Sequence, residues 1–264
     1  MFAAKGVTAD FKVFGSANDM INAVVAGQVD AVTGVSLVPI LHLETQHPGR
    51  VRVILHSKMT NACPYDGIVV KAESQIKSIA DLAGHKIGLF PGTTAVNLMK
   101  AFLKKQNVNA DKIEFVQLPP PSHHSALESG AVDALLAYEP TLTTALSKGN
   151  RRLFGSIYVD LLSPSPISVS IVSREFEKKH PDTVKAFISV IDQSVIAIRA
   201  DQQAARQSLK NYTKLPPDVI PTVNVVEDVL STELDTTNLQ AFIDLLVQIG
   251  ELPKPISAAD LIKP

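Results

Sequence analysis

The chain has little of what several common protein chemistries require. Its single cysteine, Cys63, can close no internal disulfide and build no cysteine-based zinc site. Tryptophan is absent and aromatic residues make up only 5%, which argues against a cleft for stacking sugars. Charge is scarce, at 19% of residues against about 25% in an average globular chain. It is also balanced: 25 Lys plus Arg face 26 Asp plus Glu, so no basic field attracts nucleic acid or an anionic membrane. No uncharged apolar run approaches the roughly 18 residues that span a bilayer. The opening Met1-Phe-Ala-Ala-Lys-Gly6 has no basic, apolar and small-residue succession of a secretory signal. The catalytic signatures GxSxG, Walker A and HExxH are missing, and Gly88 and Gly92 do not have the spacing of a dinucleotide fingerprint. His42, His47 and His56 are too dispersed to suggest a metal cluster, and no cofactor is called for.

What is present is a large apolar content, 45% of 264 residues, enough for one large domain or two lobes with real cores. Two segments match closely. Ala23-Val-Val-Ala-Gly27-Gln-Val-Asp30-Ala31 and Ala126-Leu-Glu-Ser-Gly130-Ala-Val-Asp133-Ala134 stand 103 residues apart at every shared position. A period of that size means two similar lobes rather than a solenoid. Each copy reads as the end of an amphipathic helix, a glycine at the position that needs φ > 0, and a strand entered through Val-Asp-Ala.

A full βαβαβ run surrounds the second copy: Lys86–Phe90, a helix from Ala95 to Gln106, Lys112–Leu118, a helix from His123 to Ser129, and the strand after Asp133. Parallel pairing is expected. The first copy is preceded only by Phe2–Gly6, matching the tail of the helix that ends near Gln106, and by a predicted strand at Asp10–Phe14. An opening strand and most of a helix have no counterpart, so the reading expects about 20 to 40 further residues upstream. Later, Leu153-Phe154 and Ser165–Val172 read as return strands. Amphipathic helices follow from Pro181 to about Arg199 and from Leu239 to Ile249. Polar breaks at residues 72–78 and 162–168 are the expected hinge, giving one lobe of 1–71 and 169–264 and another of 72–168.

Candidate ligand contacts come from loops at the carboxyl ends of parallel strands and from helix N-termini. Pro91-Gly92-Thr93-Thr94 offers a close backbone approach and two hydroxyls, and plain capping by Thr93 or Thr94 is the simpler role. Ser16 opens a helix after Gly15 in the same manner. Thr33, Gly34 and Ser36 follow the first repeat; Tyr138, Glu139 and Pro140 follow the second, where Glu139 could equally cap a helix. Asp66 precedes an apolar strand. His123 and His124 point in different directions on a helix, and His123 or Tyr138 could stack on a ring.

With those residues in view, the chain resembles the nitrate/sulfonate/taurine group of ABC-transporter substrate-binding proteins. The group shares a sequence family with thiamine-pyrimidine-precursor binders. The resemblance rests on the duplicated Ala-x-x-x-Gly-x-Val-Asp-Ala unit, Ser78-Ile-Ala-Asp-Leu-Ala-Gly-His-Lys-Ile-Gly88, Pro91-Gly-Thr-Thr94, Tyr138-Glu-Pro140 and Ser173-Arg-Glu-Phe-Glu-Lys-Lys-His-Pro181. It implies a type II periplasmic-binding fold, two three-layer α/β lobes joined by a two-segment hinge. It also implies a monomer that captures a small organic anion or nitrate-like oxyanion by closure and delivers it to a membrane permease. The location implied is the periplasm, or the cell exterior as a lipoprotein. Ligand loops map onto Ser16, Ser36, Gly92 to Thr94 and Tyr138 to Glu139. The alternatives are a pyrimidine-precursor binder and an enzyme like the pyrimidine synthases of thiamine synthesis. For the enzyme the mapped loops contain no lysine.

Overall fold

The structure is a computed structural model and describes residues 2–14 and 16–264. Gly15, expected to lead into Ser16, lies outside the described residues. The strands are β1 (Ala31–Ser36), β2 (Val51–Met59), β3 (Asp66–Val70), β4 (Lys86–Leu89), β5 (Glu114–Gln117), β6 (Ala134–Tyr138), β7 (Arg151–Phe154), β8 (Ser165–Ser173) and β9 (Glu227–Asp228). The α-helices are α1 (Ala17–Val25), α2 (Leu37–Gln46), α3 (Thr93–Lys105), α4 (Pro120–Ser129), α5 (Thr141–Ser147), α6 (Ile157–Leu161), α7 (Arg174–Lys179), α8 (Pro181–Ala200), α9 (Gln202–Ser208), α10 (Thr236–Gln248) and α11 (Ala258–Ile262).

The two repeats fold alike, for a local reason. Gly27 (φ 68°) and Gly130 (φ 76°) both take the left-handed conformation that ends a helix, which side chains rarely adopt. Past each glycine the Val29 amide bonds the Ala23 carbonyl at 3.3 Å and the Val132 amide the Ala126 carbonyl at 3.2 Å. The same turn therefore delivers the chain into β1 at Ala31 and into β6 at Ala134.

The chain forms two units, one holding residues up to Lys58, Ser165–Asp201 and Glu227–Pro264, the other Met59–Pro164 and Gln202–Val226. In the first, the sheet order is β1-β8-β2-β9, with β1 antiparallel to β8 and β2 to β9. Ile54, Val172 and Val184 are buried together, with Phe187 and Ile188 of α8 packed against them. Glu44, buried at the end of α2, accepts from the backbone N–H groups of Gly49 (2.6 Å), Arg50 (2.8 Å) and Val51 (2.8 Å) and so fixes the entry into β2.

The second unit carries a sheet in the order β5-β4-β6-β3-β7. The expected βαβαβ run is β4-α3-β5-α4-β6, and β4 pairs in parallel with both β5 and β6. Leu127 of α4, Leu142 of α5 and Leu135 of β6 are wholly buried in one cluster. Phe102 of α3 is buried too and packs on Phe154 of β7 with ring centres 4.8 Å apart.

Two expectations do not match. The chain changes unit near Met59, because β3 pairs on both edges, with β6 and β7, and so belongs to the second sheet. Residues 72–78 therefore lie inside that unit, whereas the later change, between Pro164 and Ser165, falls within 162–168. Residues 202–226 also join the second unit, held in part by Asn224 Nδ2 donating to the Pro64 carbonyl at 3.0 Å. The predicted strand at Asp10–Phe14 is absent: 10–14 carry no regular structure, with Phe11 76% and Val13 98% exposed. An extended segment counts as a strand only when a neighbour takes its hydrogen bonds, and among the described residues no strand pairs with 10–14.

Candidate functional site

In the second unit, β4, β5 and β6 run the same way, so their carboxyl ends share one edge of the sheet. That edge brings together Phe90, Pro91-Gly92-Thr93-Thr94, His123 and Tyr138-Glu139. Phe90 is the hub. Its ring meets His123 edge-on at 5.0 Å and Tyr138 at 4.8 Å. Tyr138 in turn faces Tyr158, with the hydroxyl oxygens 3.3 Å apart. Burial, then Tyr158 and Asp66, push the Tyr138 phenol well above its ordinary range, so it stays protonated and able to donate.

Gly92, at φ 119°, stands just before α3 and donates its amide to Gln117 Oε1 at 2.8 Å. No side chain caps the helix at Gly92, and Thr93 and Thr94 are its first two residues rather than its caps. Gly92 and Thr93 are exposed and Thr94 half-exposed. The positive end of a 13-residue helix and two hydroxyls thus lie at the surface beside the aromatic cluster.

Three other candidates are committed to the interior. Asp66 is wholly buried, accepting from the Ser156 hydroxyl and from the Ile157 amide at 2.8 Å, and so holds the start of α6. Burial raises its carboxyl to about 6 against the lowering effect of those bonds. His123 is also wholly buried, and its Nε2 donates to the Leu118 carbonyl at 2.9 Å. Burial lowers its pKa and holds the ring neutral. Glu139 is 6% exposed and accepts from the Thr143 hydroxyl (2.8 Å) and amide (3.2 Å), starting α5. Burial raises the Glu139 carboxyl. Asp66 and His123 are thus wholly buried and Glu139 nearly so, each with a polar atom bonded to a backbone or side-chain group of the same unit.

In the first unit, Ser16 is the N-cap of α1, accepting from the Asp19 amide at 3.2 Å and donating to the Asp19 carboxylate at 2.8 Å. It remains exposed. Thr33 and Ser36 are exposed on β1, and Ser36 precedes α2 without a side-chain capping bond. Ser36 lies opposite Ser168 in the ladder, and the Ser168 hydroxyl is 2.6 Å from that of Ser57. This row of three hydroxyls across β1, β8 and β2 was not foreseen, nor was Phe90, since an apolar strand end and isolated serines carry no motif. Among the described residues no three His, Cys, Asp or Glu side chains gather as a metal site would need.

Two α/β units, each presenting helix starts beyond a sheet edge, define the class. The fold is that of the periplasmic sulfonate-binding proteins. The structure of the aliphatic sulphonate-binding protein SsuA from Escherichia coli aligns with a TM-score of 0.76 at 20% identity, covering 94% of this chain and 84% of that one. The desulfurization enzyme DSZB has the same fold, with a TM-score of 0.77 at 16% identity over 100% of this chain and 90% of its own. The chain belongs to the NMT1/THI5-like family, whose model matches residues 1–205. It is 30% identical to the taurine-binding periplasmic protein of Escherichia coli (strain K12) over 189 residues, 71% of this chain and 57% of that protein. The chain thus spans less than two thirds of that relative's length.

Proposed function

We propose that this chain is the solute-binding component of an ABC importer and that its ligand is a small organic anion of the sulfonate type. The observation that carries the reading is the start of α3. Gly92, Thr93 and Thr94 lie at the carboxyl end of β4 near the Phe90–Tyr138 pair, with hydroxyls and a helix dipole, in a chain similar to a taurine-binding protein. A singly charged oxyanion suits such donors. Capture by closure of the two units, delivery to a membrane permease and action as a monomer in the periplasm belong to the same proposal. Among the described residues no helix is long and apolar enough to cross a membrane.

Binding rather than turnover is supported by the similarity to a taurine-binding periplasmic protein. DSZB shows that the fold can also house an enzyme, so turnover is tested alongside binding.

The test is a thermal-shift and calorimetry panel of taurine, ethanesulfonate, nitrate, bicarbonate and substituted pyrimidines. A true ligand at 100 times its dissociation constant adds about 2.7 kcal/mol to folding stability. Sulfonate binding that weakens in Thr94→Ala and in Ser36→Ala is the expected result. Stabilisation by pyrimidines alone would move the assignment to the precursor binders, and release of sulfite or sulfate from a sulfinate or sulfonate would make the chain an enzyme.

A further inference from the structure

A buried network in the second unit leads to a single half-buried hydroxyl near the start of α3. Asp66 opens β3 directly opposite Tyr138 in the ladder with β6, so the two side chains share one face of the sheet. The Asp66 carboxyl accepts from the Ser156 hydroxyl, from the Ile157 amide at 2.8 Å and from the Tyr158 amide. The Ser156 hydroxyl in turn accepts from the Val159 amide at 3.1 Å. Beyond that first turn, α6 is tied to the last turn of α3, where Lys105 donates to the Asp160 carbonyl and pairs with the Asp160 carboxylate at 3.3 Å. Anchored on both sides, α6 brings the Tyr158 hydroxyl to 3.3 Å from that of Tyr138. Asp66, Ser156 and Tyr158 are buried, whereas Tyr138 keeps surface, with its ring edge-on to Phe90, two residues before Gly92.

We propose that Tyr138 donates its hydroxyl to the oxyanion of the ligand and that Tyr158 is its positioning residue, changing from acceptor to donor as the anion binds. The proposal rests on the anion-binding reading of the α3 start and adds two named residues to it. The chemistry of the partner is what carries it. A backbone carbonyl only accepts and an amide only donates, whereas a phenol does either by rotating its O–H. Without ligand, Tyr138 donates to Tyr158, and no half-buried donor is left unpaired. With an anion in place, Tyr138 turns its proton to the anion and Tyr158 donates to the Tyr138 oxygen. The bonds from Tyr158 to Tyr138 to the anion then polarise one another. Tyr138 stays protonated in both states, because burial, Tyr158 and Asp66 hold its phenol well above the ordinary range.

The test is calorimetry with ethanesulfonate on Tyr158→Phe, Tyr138→Phe and the double variant, with urea unfolding to show that each chain folds. Tyr158→Phe keeps the ring and removes the hydroxyl alone. It should weaken binding about threefold to tenfold, the worth of one hydrogen bond. Tyr138→Phe should weaken it by about tenfold or more, since that bond is to a charge. In the Tyr138→Phe chain the change at Tyr158 should have no further effect. Losses that multiply in the double variant overturn the proposal. A second readout needs no ligand: ionisation of the Tyr138 phenol, followed by NMR of its Cζ upward from about pH 9, should begin at lower pH in Tyr158→Phe. Packing alone would not move it, and an unmoved titration overturns the proposal. A wild type that binds no oxyanion of the panel overturns the reading and the proposal together, whereas sulfonate binding undiminished in Tyr158→Phe overturns the proposal alone.

Discussion

Replacing Asp66 with asparagine should remove a pH dependence whose sign is the reverse of that usual for carboxylates. Asp66 opens β3 with no exposed surface, and burial outweighs the Ser156 and Ile157 bonds, moving its carboxyl from 3.8 to about 6. In the unfolded chain the group ionises near the ordinary value. Between those two values the unfolded chain has released a proton that the folded chain still holds, so stability from this group is complete below pH 4 and falls as pH rises through 6. At 1.36 kcal/mol per pH unit, the span from 3.8 to about 6 corresponds to about 3 kcal/mol. About 2 kcal/mol of that lies between pH 4 and pH 7, since at pH 4 the unfolded group is already half ionised. Urea unfolding of the wild type and Asp66→Asn at half-unit steps over this range is the assay. Asp228, raised to about 6 by burial, and Glu233, lowered to about 2 chiefly by its bond with Arg199, titrate in both proteins and cancel in the difference. The stability of the wild type relative to the variant should fall by about 2 kcal/mol from pH 4 to pH 7. A difference that is flat, or that grows with pH, refutes the claim that desolvation dominates at this site.

Gly88→Ala should destabilise the chain by about 1 to 3 kcal/mol, because the added methyl would lie 2.7 Å from Leu135 Cδ2 and 3.2 Å from Leu118 Cδ1, measured as a lower urea midpoint at unchanged slope. Glu44→Ala leaves the Gly49, Arg50 and Val51 amides without their acceptor and should cost about 3 kcal/mol or more, with Glu44→Gln recovering part. Gly92→Ala meets no atom within 4 Å but must hold φ near 119°, so about 1 to 2 kcal/mol of strain is expected in thermal unfolding, with weaker sulfonate binding in calorimetry as α3 shifts its start.

The second unit was legible because its information is local. Glycines fixed the helix exits, the spacing of Val96, Leu98, Met99, Phe102 and Leu103 marked α3, and short apolar runs bounded by turns marked β4 and β6. Parallel order followed from the alternation of strands and helices. Its candidate site was legible only in part. The helix start at Gly92–Thr94 has a motif, whereas the fate of a polar side chain depends on which way its strand faces. Asp66, His123 and Glu139 look like contacts in a string of letters, and the fold turns each inward to hold a helix start or a carbonyl. Phe90 was invisible for the converse reason: an apolar residue at a strand end looks like core, and here its ring is only half-buried against Tyr138.

The failure at Asp10–Phe14 is of another kind. Asp-Phe-Lys-Val-Phe alternates as a strand should, yet alternation states only that a segment is able to present two faces. Whether it becomes a strand is decided by a neighbour, as Glu114–Gln117 shows: its strand state is supplied residue for residue by Lys86–Leu89. In the first unit no strand pairs with residues 10–14 among the described residues. Val13 is 98% exposed, and β1 keeps Thr33 exposed where Leu136, its equivalent in β6, is wholly buried.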